Sequence, residues 1–206
     1  MTKRRASRAW VQRHIDDPYV KRAQALGYRS RSAFKLLEID ARDRLFARGQ
    51  AVVDLGAAPG GWSQVAAEKV APSGRVIAVD LLEMALIPGV TFIRGDVADV
   101  AVLRQVESAL DSARLDLVLS DMSPNLSGVG AGDQARSIDL CELSLGFALE
   151  HLKPGGALLL KAFHSAGFAE LLGKLQSRFE RVVVRKPGSS RSRSAEVYLL
   201  ARRPRR

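Results

Sequence analysis

Four aspartates, Asp54, Asp80, Asp96 and Asp121, stand at or just past the ends of four mainly apolar runs, residues 51–55, 75–80, 90–93 and 115–120. If those runs are parallel strands of one sheet, the four carboxylates share one rim. That is costly unless each has a polar partner. The first aspartate is followed by Gly56-Ala57-Ala58-Pro59-Gly60-Gly61 and then by a helical pattern. Glycines let backbone approach a ligand closely, and a helix N-terminus offers unpaired N–H groups. Together these residues point to a cofactor that contains a nucleoside. An acid at the end of the second strand, here Asp80, suits ribose hydroxyls. Asp96 taken singly reads equally well as a helix cap.

The loop separates two cofactor classes. A dinucleotide fingerprint is G-x-G-x-x-G, whose second glycine lets the backbone meet a pyrophosphate. Ala58 occupies that position here. S-adenosylmethionine carries no phosphate and does not need that approach, so the loop favours it over NAD.

The elements that must position these residues follow from periodicity and punctuation. Asp16 or Asp17 before Pro18 starts a helix that ends at Gly27. A second helix is expected over 30–40, with Ala33, Phe34, Leu36, Leu37 and Ile39 as its apolar face. Lys35 lies in that neighbourhood, where a lysine ordinarily snorkels to the surface. Strands are expected at 51–55, 75–80, 90–93, 115–120, 157–162, 181–185 and 196–201. Helices are expected at 60–70, 100–110, 135–151 and 167–177. Largely apolar strands alternating with helices indicate a mostly parallel sheet covered on both faces. Residues 122–133, with Pro124 and three glycines, read as a mobile loop at the carboxyl end of the fourth strand. Lys161 falls near the end of the fifth. A basic, serine-rich loop joins the last two strands, which are expected to pair antiparallel at the sheet edge.

The chain has 206 residues and a net charge of +10. Residues 1–31 carry +7 and residues 185–206 carry +7, leaving the middle at −4. A neutral-to-acidic body thus has two cationic ends, a pattern that suits a phosphate backbone. The expected organisation is a basic N-terminal arm, 1–13, and one domain over 14–206. Trp10 in that arm either anchors it or stacks on a base. One cysteine, Cys141, excludes an intrachain disulfide and a cysteine metal cluster. No apolar run is long enough for a membrane span, and nothing at the N-terminus reads as a signal peptide. A cytoplasmic monomer with no metal and no membrane partner is expected.

The sequence resembles the FtsJ/RrmJ-type ribosomal RNA 2′-O-ribose methyltransferases. The stretches that carry the resemblance are residues 29–36, the loop 54–64, Ser120-Asp121-Met122-Ser123-Pro124-Asn125, Leu160-Lys161-Ala162-Phe163, and 185–198. The glycine loop is common to many methyltransferases. The ordered set Lys35, Asp121, Lys161 and Glu196 is more specific, since it looks like that family's catalytic Lys-Asp-Lys-Glu tetrad. The resemblance implies a seven-stranded Rossmann-like sheet with its last strand antiparallel. It implies S-adenosylmethionine bound by Gly60, Trp62, Asp80, Asp96 and Asp121, with Asp80 on the ribose and Asp96 on the adenine side. It also implies a uridine in the A-loop of 23S rRNA as acceptor, methylated on the large ribosomal subunit. Another RNA such as tRNA, and a non-catalytic role in ribosome assembly, are the alternatives.

A ribose hydroxyl is a poor nucleophile and must lose its proton as it attacks. Lysine serves as base only when its pKa is brought down from roughly 10.4. Lys161 is the expected base. Lys35 is expected to act as the second cation that lowers it, Asp121 to position Lys161, and Glu196 to position Lys35 or the ribose.

Overall fold

Alternate residues along the central strands point to opposite faces, and each face packs against its own helices. The computed structural model describes residues 16–124, 130–191 and 194–205. The expected arm with Trp10, and residues 125–129 of the glycine-rich segment, lie outside the described residues. The elements in order are α1 (Pro18–Ala25), α2 (Ser32–Asp43), β1 (Ala51–Leu55), α3 (Gly61–Val70), β2 (Arg75–Asp80), β3 (Val90–Arg94) and α4 (Val100–Leu110). They continue with β4 (Leu115–Ser120), α5 (Gly130–His151), β5 (Leu152–Phe163), α6 (Phe168–Arg178), β6 (Phe179–Arg185) and β7 (Glu196–Pro204).

The strands form one seven-stranded sheet in the order β3-β2-β1-β4-β5-β7-β6. Only β7 runs against the others. Val53, Leu55, Ile77, Val118, Leu158 and Leu160 pack on one face with residues of α4, α5 and α6. Val52, Val76, Leu117, Leu119, Leu159 and Leu200 pack on the other with residues of α2 and α3. Burying a side chain of this size stabilises the fold by about 1.5–3 kcal/mol relative to leaving it exposed. The order of strands reverses between β1 and β4, which leaves a crevice at their carboxyl ends.

Of the boundaries that differ from the sequence expectation, three have a clear cause. α2 runs on to Asp43 because Asp40 does not stop it. The buried Asp40 carboxylate instead accepts from the N–H groups of Leu45 and Phe46, at 2.9 and 3.1 Å, while Arg44 caps the helix with a left-handed backbone. α5 starts at Gly130, so the segment expected to be a loop through residue 133 is helical in its last part. Pro154-Gly155-Gly156 lies inside β5, not in a turn before it. The register against β4 shifts between Leu115 and Leu117, and that irregularity accommodates the run.

The insertion of β7 between β5 and β6 matters for the site. It sets Lys161 opposite Tyr198 and Phe163 opposite Glu196. Residues directly opposite in a pair share a face, so Lys161, Tyr198 and Glu196 all look towards α2.

Candidate active site

The loop after β1 needs glycine at two positions. Gly56 has φ 75°, and a Cβ there would lie 2.6 Å from the Cγ of Met122. Gly60 has φ 107°, and its Cβ would meet Ile87 and Met84 at 2.7 and 2.8 Å. Left-handed backbone with no room for a side chain is the condition only glycine meets. Asp80, half-buried at the end of β2, holds this loop. One of its oxygens accepts from the Ala58 N–H at 2.9 Å and the other from the Leu82 N–H at 2.7 Å. Asp96 is exposed and accepts from the Ala98 N–H at 2.9 Å. The cap of α4 is Asp99, which accepts from the Ala101 N–H at 2.8 Å. The helix-cap reading of Asp96 therefore passes to its neighbour.

The Trp62 side chain is 2% exposed and does not face the loop's open side. Its indole donates to the Ser32 carbonyl at 2.9 Å and its ring lies 5.6 Å from that of Tyr198. Only its backbone, in the first turn of α3, is available to a ligand at this helix end.

Asp54 is fully buried beneath the loop. One carboxyl oxygen accepts from the Ser63 hydroxyl at 2.6 Å, and the other, Oδ1, has no hydrogen-bond partner among the described residues. Burial pushes its pKa up to about 7, with Asp121 and Asp80 adding to the rise and Ser63 opposing it. A carboxyl raised in the folded state binds more protons there than in the unfolded chain, so its contribution falls as pH rises from about 4 to about 7, then levels off. Asp54→Asn lacks that titration. Relative to the parent, its folding free energy should gain roughly 2–3 kcal/mol between pH 5 and 8. Denaturant unfolding of both proteins at several pH values checks this; parallel pH profiles would contradict it.

Lys35, Asp121, Lys161 and Glu196 come together although they span 161 positions between Lys35 and Glu196. Lys161, 9% exposed, has its Nζ 3.1 Å from an Asp121 carboxylate oxygen and donates to the Asp121 carbonyl at 2.7 Å. Lys35 reaches from α2 to Glu196 at 2.7 Å. Glu196 also accepts from the Ser190 hydroxyl at 3.0 Å. Burial opposes ionisation of Glu196, but Lys35, Ser190 and Lys161 outweigh it and hold its pKa below the usual carboxylate value.

A residue to which the sequence reading gave no role joins the two ion pairs. Tyr198 is wholly buried, and its hydroxyl lies 3.2 Å from Lys35 Nζ and donates to Asp121 at 3.2 Å. Burial, with Asp121 and Glu196 close by, holds the phenol well above its ordinary pKa, so it stays a neutral donor. The only signal in the sequence was its place two residues after Glu196 on a strand, hence on the same face. The two lysines are thus linked through Tyr198 and Asp121. Lys35 spends its hydrogen bonds on Glu196 and Tyr198, not on Lys161.

Arg29 is a second residue without a sequence-derived role. Its guanidinium donates to the carbonyls of Ala85 and Leu86 at 2.5 and 2.6 Å and to that of Pro59 at 3.4 Å. Its own N–H donates to the Gln64 side chain at 2.8 Å. It thereby straps the segment after β2 to the glycine loop.

A glycine loop thus stands at a sheet crevice beside a largely buried Lys-Asp-Lys-Glu cluster. The FtsJ-like methyltransferase model matches residues 28–204. The chain belongs to this family. As an FtsJ-like methyltransferase it is similar over 200 residues, at 56% identity, to the ribosomal RNA large subunit methyltransferase E of Azoarcus sp. (strain BH72), covering 97% of this chain and 98% of that one. The protein of the same name from Bordetella petrii is 53% identical over 207 residues, covering 98% of each. Among solved structures, a ribosomal RNA methyltransferase from Plasmodium falciparum superimposes with a TM-score of 0.77 at 28% identity, covering 86% of this chain and 98% of that one. No helix among the described residues is long and apolar enough to cross a membrane.

Proposed function

We propose that this methyltransferase moves a methyl group from S-adenosylmethionine to the 2′-hydroxyl of a uridine ribose in 23S rRNA, in the A-loop of the assembled large subunit. The observation that carries the reading is the pair of the buried Lys161 with the half-buried Asp121 at 3.1 Å, tied through Tyr198 to Lys35 and Glu196. The large-subunit acceptor rests on the names of the relatives at 53–56% identity and on the cationic ends of the chain. The protein acts in the cytoplasm as a monomer, with residues 1–13 as an RNA-binding arm.

The residues around the glycine loop fit such a donor. The N-terminus of α3 offers unpaired N–H groups behind a loop of small residues and requires no phosphate, and carboxylates stand at or just past the ends of β2, β3 and β4. In this reading Gly60 and the Trp62 backbone line the donor site. Asp80 takes the ribose hydroxyls, Asp96 the adenine edge, and Asp121 the side nearest the methyl group. When bound, the donor supplies an electrophilic methyl on a sulfonium.

Lys161 accepts the proton of the attacking 2′-hydroxyl on Nζ and must hold a neutral amine at that moment. A positioned base of this kind typically contributes about 10²–10⁴-fold. Asp121 aims Lys161 through its carboxylate and its carbonyl. Lys35, fixed by Glu196, is left to orient the ribose, and Tyr198 keeps both halves in register. Burial of the cluster excludes water from the amine.

Transfer of labelled methyl to isolated large subunits, small subunits and tRNA separates the readings. Incorporation into large subunits alone is expected. Incorporation into tRNA alone, or none into any RNA, would overturn the assignment.

A further inference from the structure

The two ends of β7 carry different chemistry. Glu196 opens the strand beside the candidate active site, and Arg202 and Arg203 close it. At roughly 3.4 Å per residue these ends lie about 20 Å apart. At the far end is a cavity of about 600 Å³ whose lining includes Arg42, Arg181, Arg202 and Arg203, with Asp43 and Glu180.

Both carboxylates are already engaged. Asp43 is held by Arg185 through two hydrogen bonds of 2.6 and 2.7 Å, and Glu180 lies 3.5 Å from Arg203. Arg202 donates to the Asp43 and Arg44 carbonyls at the end of α2, so its charge is fixed in place. Arg181 stands opposite Arg202 in the β6–β7 pair and therefore shares its face. Like charges directly opposite are unfavourable, and the nearby Asp43 carboxylate, which Arg42 and Arg202 also face, makes its hydrogen bonds to Arg185. Arg203 has a left-handed backbone, φ 58°. That breaks the strand's alternation and lets neighbouring Arg202 and Arg203 line one cavity. Arg42 and Arg181 are exposed and have no ion-pair or hydrogen-bond partner among the described residues. Arg42 also sits in the last turn of α2, where a cation is favoured by the helix dipole, but one dipole does not account for four arginines around one cavity.

We propose that this arginine-lined cavity is a second docking site for RNA phosphates, remote from the acceptor nucleotide. It holds a neighbouring segment of the same large-subunit RNA while the far end of β7 serves the chemistry. Guanidinium groups bind phosphate through paired N–H donors, and each neutralised phosphate adds about 0.7–0.9 to the salt dependence of binding. The inference rests on the large-subunit RNA reading above.

The test compares the parent, the double variant Arg42→Gln/Arg181→Gln and the double variant Arg42→Lys/Arg181→Lys. Binding to isolated large subunits is measured by co-sedimentation over a range of salt. Neither residue belongs to the donor site or the Lys-Asp-Lys-Glu cluster, so S-adenosylmethionine affinity should be unchanged in all three. The glutamine variant is expected to bind about tenfold more weakly, with the salt slope reduced by one to two. The lysine variant should recover most of the slope. A glutamine variant with parental affinity and slope would overturn the second site, whatever its methylation activity. A parent that binds subunits but methylates none would instead overturn the functional reading, while the binding comparison still decides the site.

Discussion

Lys161→Met is expected to lower methyl transfer by about 10²–10⁴-fold while S-adenosylmethionine binds with parental affinity. Methionine keeps the length of the stem among the apolar neighbours of β5 but removes the nitrogen 3.1 Å from Asp121. Lys161→Arg makes the sharper comparison. It keeps a cation beside Asp121, yet a guanidinium is not deprotonated in a protein and cannot take the hydroxyl proton. If Lys161 is the base, arginine should be nearly as inactive as methionine. Near-parental turnover with arginine would leave only an electrostatic role for the residue. Single-turnover rates with saturating donor, together with calorimetric donor binding, read both quantities.

The second large effect is on the donor site. Asp80→Ala should weaken S-adenosylmethionine binding by roughly 10- to 100-fold, the range expected when hydrogen bonds to a charged group are removed. Part of that loss comes through the protein itself. Asp80 accepts from the N–H groups of Ala58 and Leu82, so the glycine loop and the segment after β2 lose a shared anchor. Asp80→Asn keeps one acceptor and should fall between the two. Equal affinity for all three proteins by calorimetry would remove Asp80 from the donor site.

Much of this arrangement is legible in the sequence. β1, β2, α4 and β4 were readable to the residue, because apolar runs with acidic or glycine ends leave little choice of boundary. Boundaries failed where tertiary contacts overrode local signals. Asp40 looks like a stop but is absorbed by capping the turn after α2. Pro154-Gly155-Gly156 looks like a turn but forms an irregularity inside β5, whose flanking residues Leu152 and Ala157 pair with β4. The site was legible as a set of residue types and not as a circuit. Lys35 meets Glu196, one of the two positioning roles expected for that carboxylate, but its second partner, Tyr198, has no role that the sequence assigns. Periodicity cannot say that β7 enters between β5 and β6, and that insertion alone brings Tyr198 opposite Lys161. The resemblance places Trp62 among the donor ligands, while its side chain packs into the core between α2 and the sheet. Arg29 escaped notice because its three carbonyl partners come from two loops remote in sequence.

In the proposed reaction the acceptor is a ribose oxygen of large-subunit rRNA, deprotonated by Lys161. The most direct measurement uses large subunits from a strain that lacks its own enzyme of this kind. They are incubated with the protein and methyl-labelled S-adenosylmethionine, and the labelled rRNA is digested with alkali and with nucleases. A 2′-O-methyl group blocks alkaline cleavage at its own linkage. Label is expected in one alkali-resistant dinucleotide that contains a uridine in the A-loop, and none with Lys161→Met. Label on a base, recovered in alkali-sensitive mononucleotides, would contradict it.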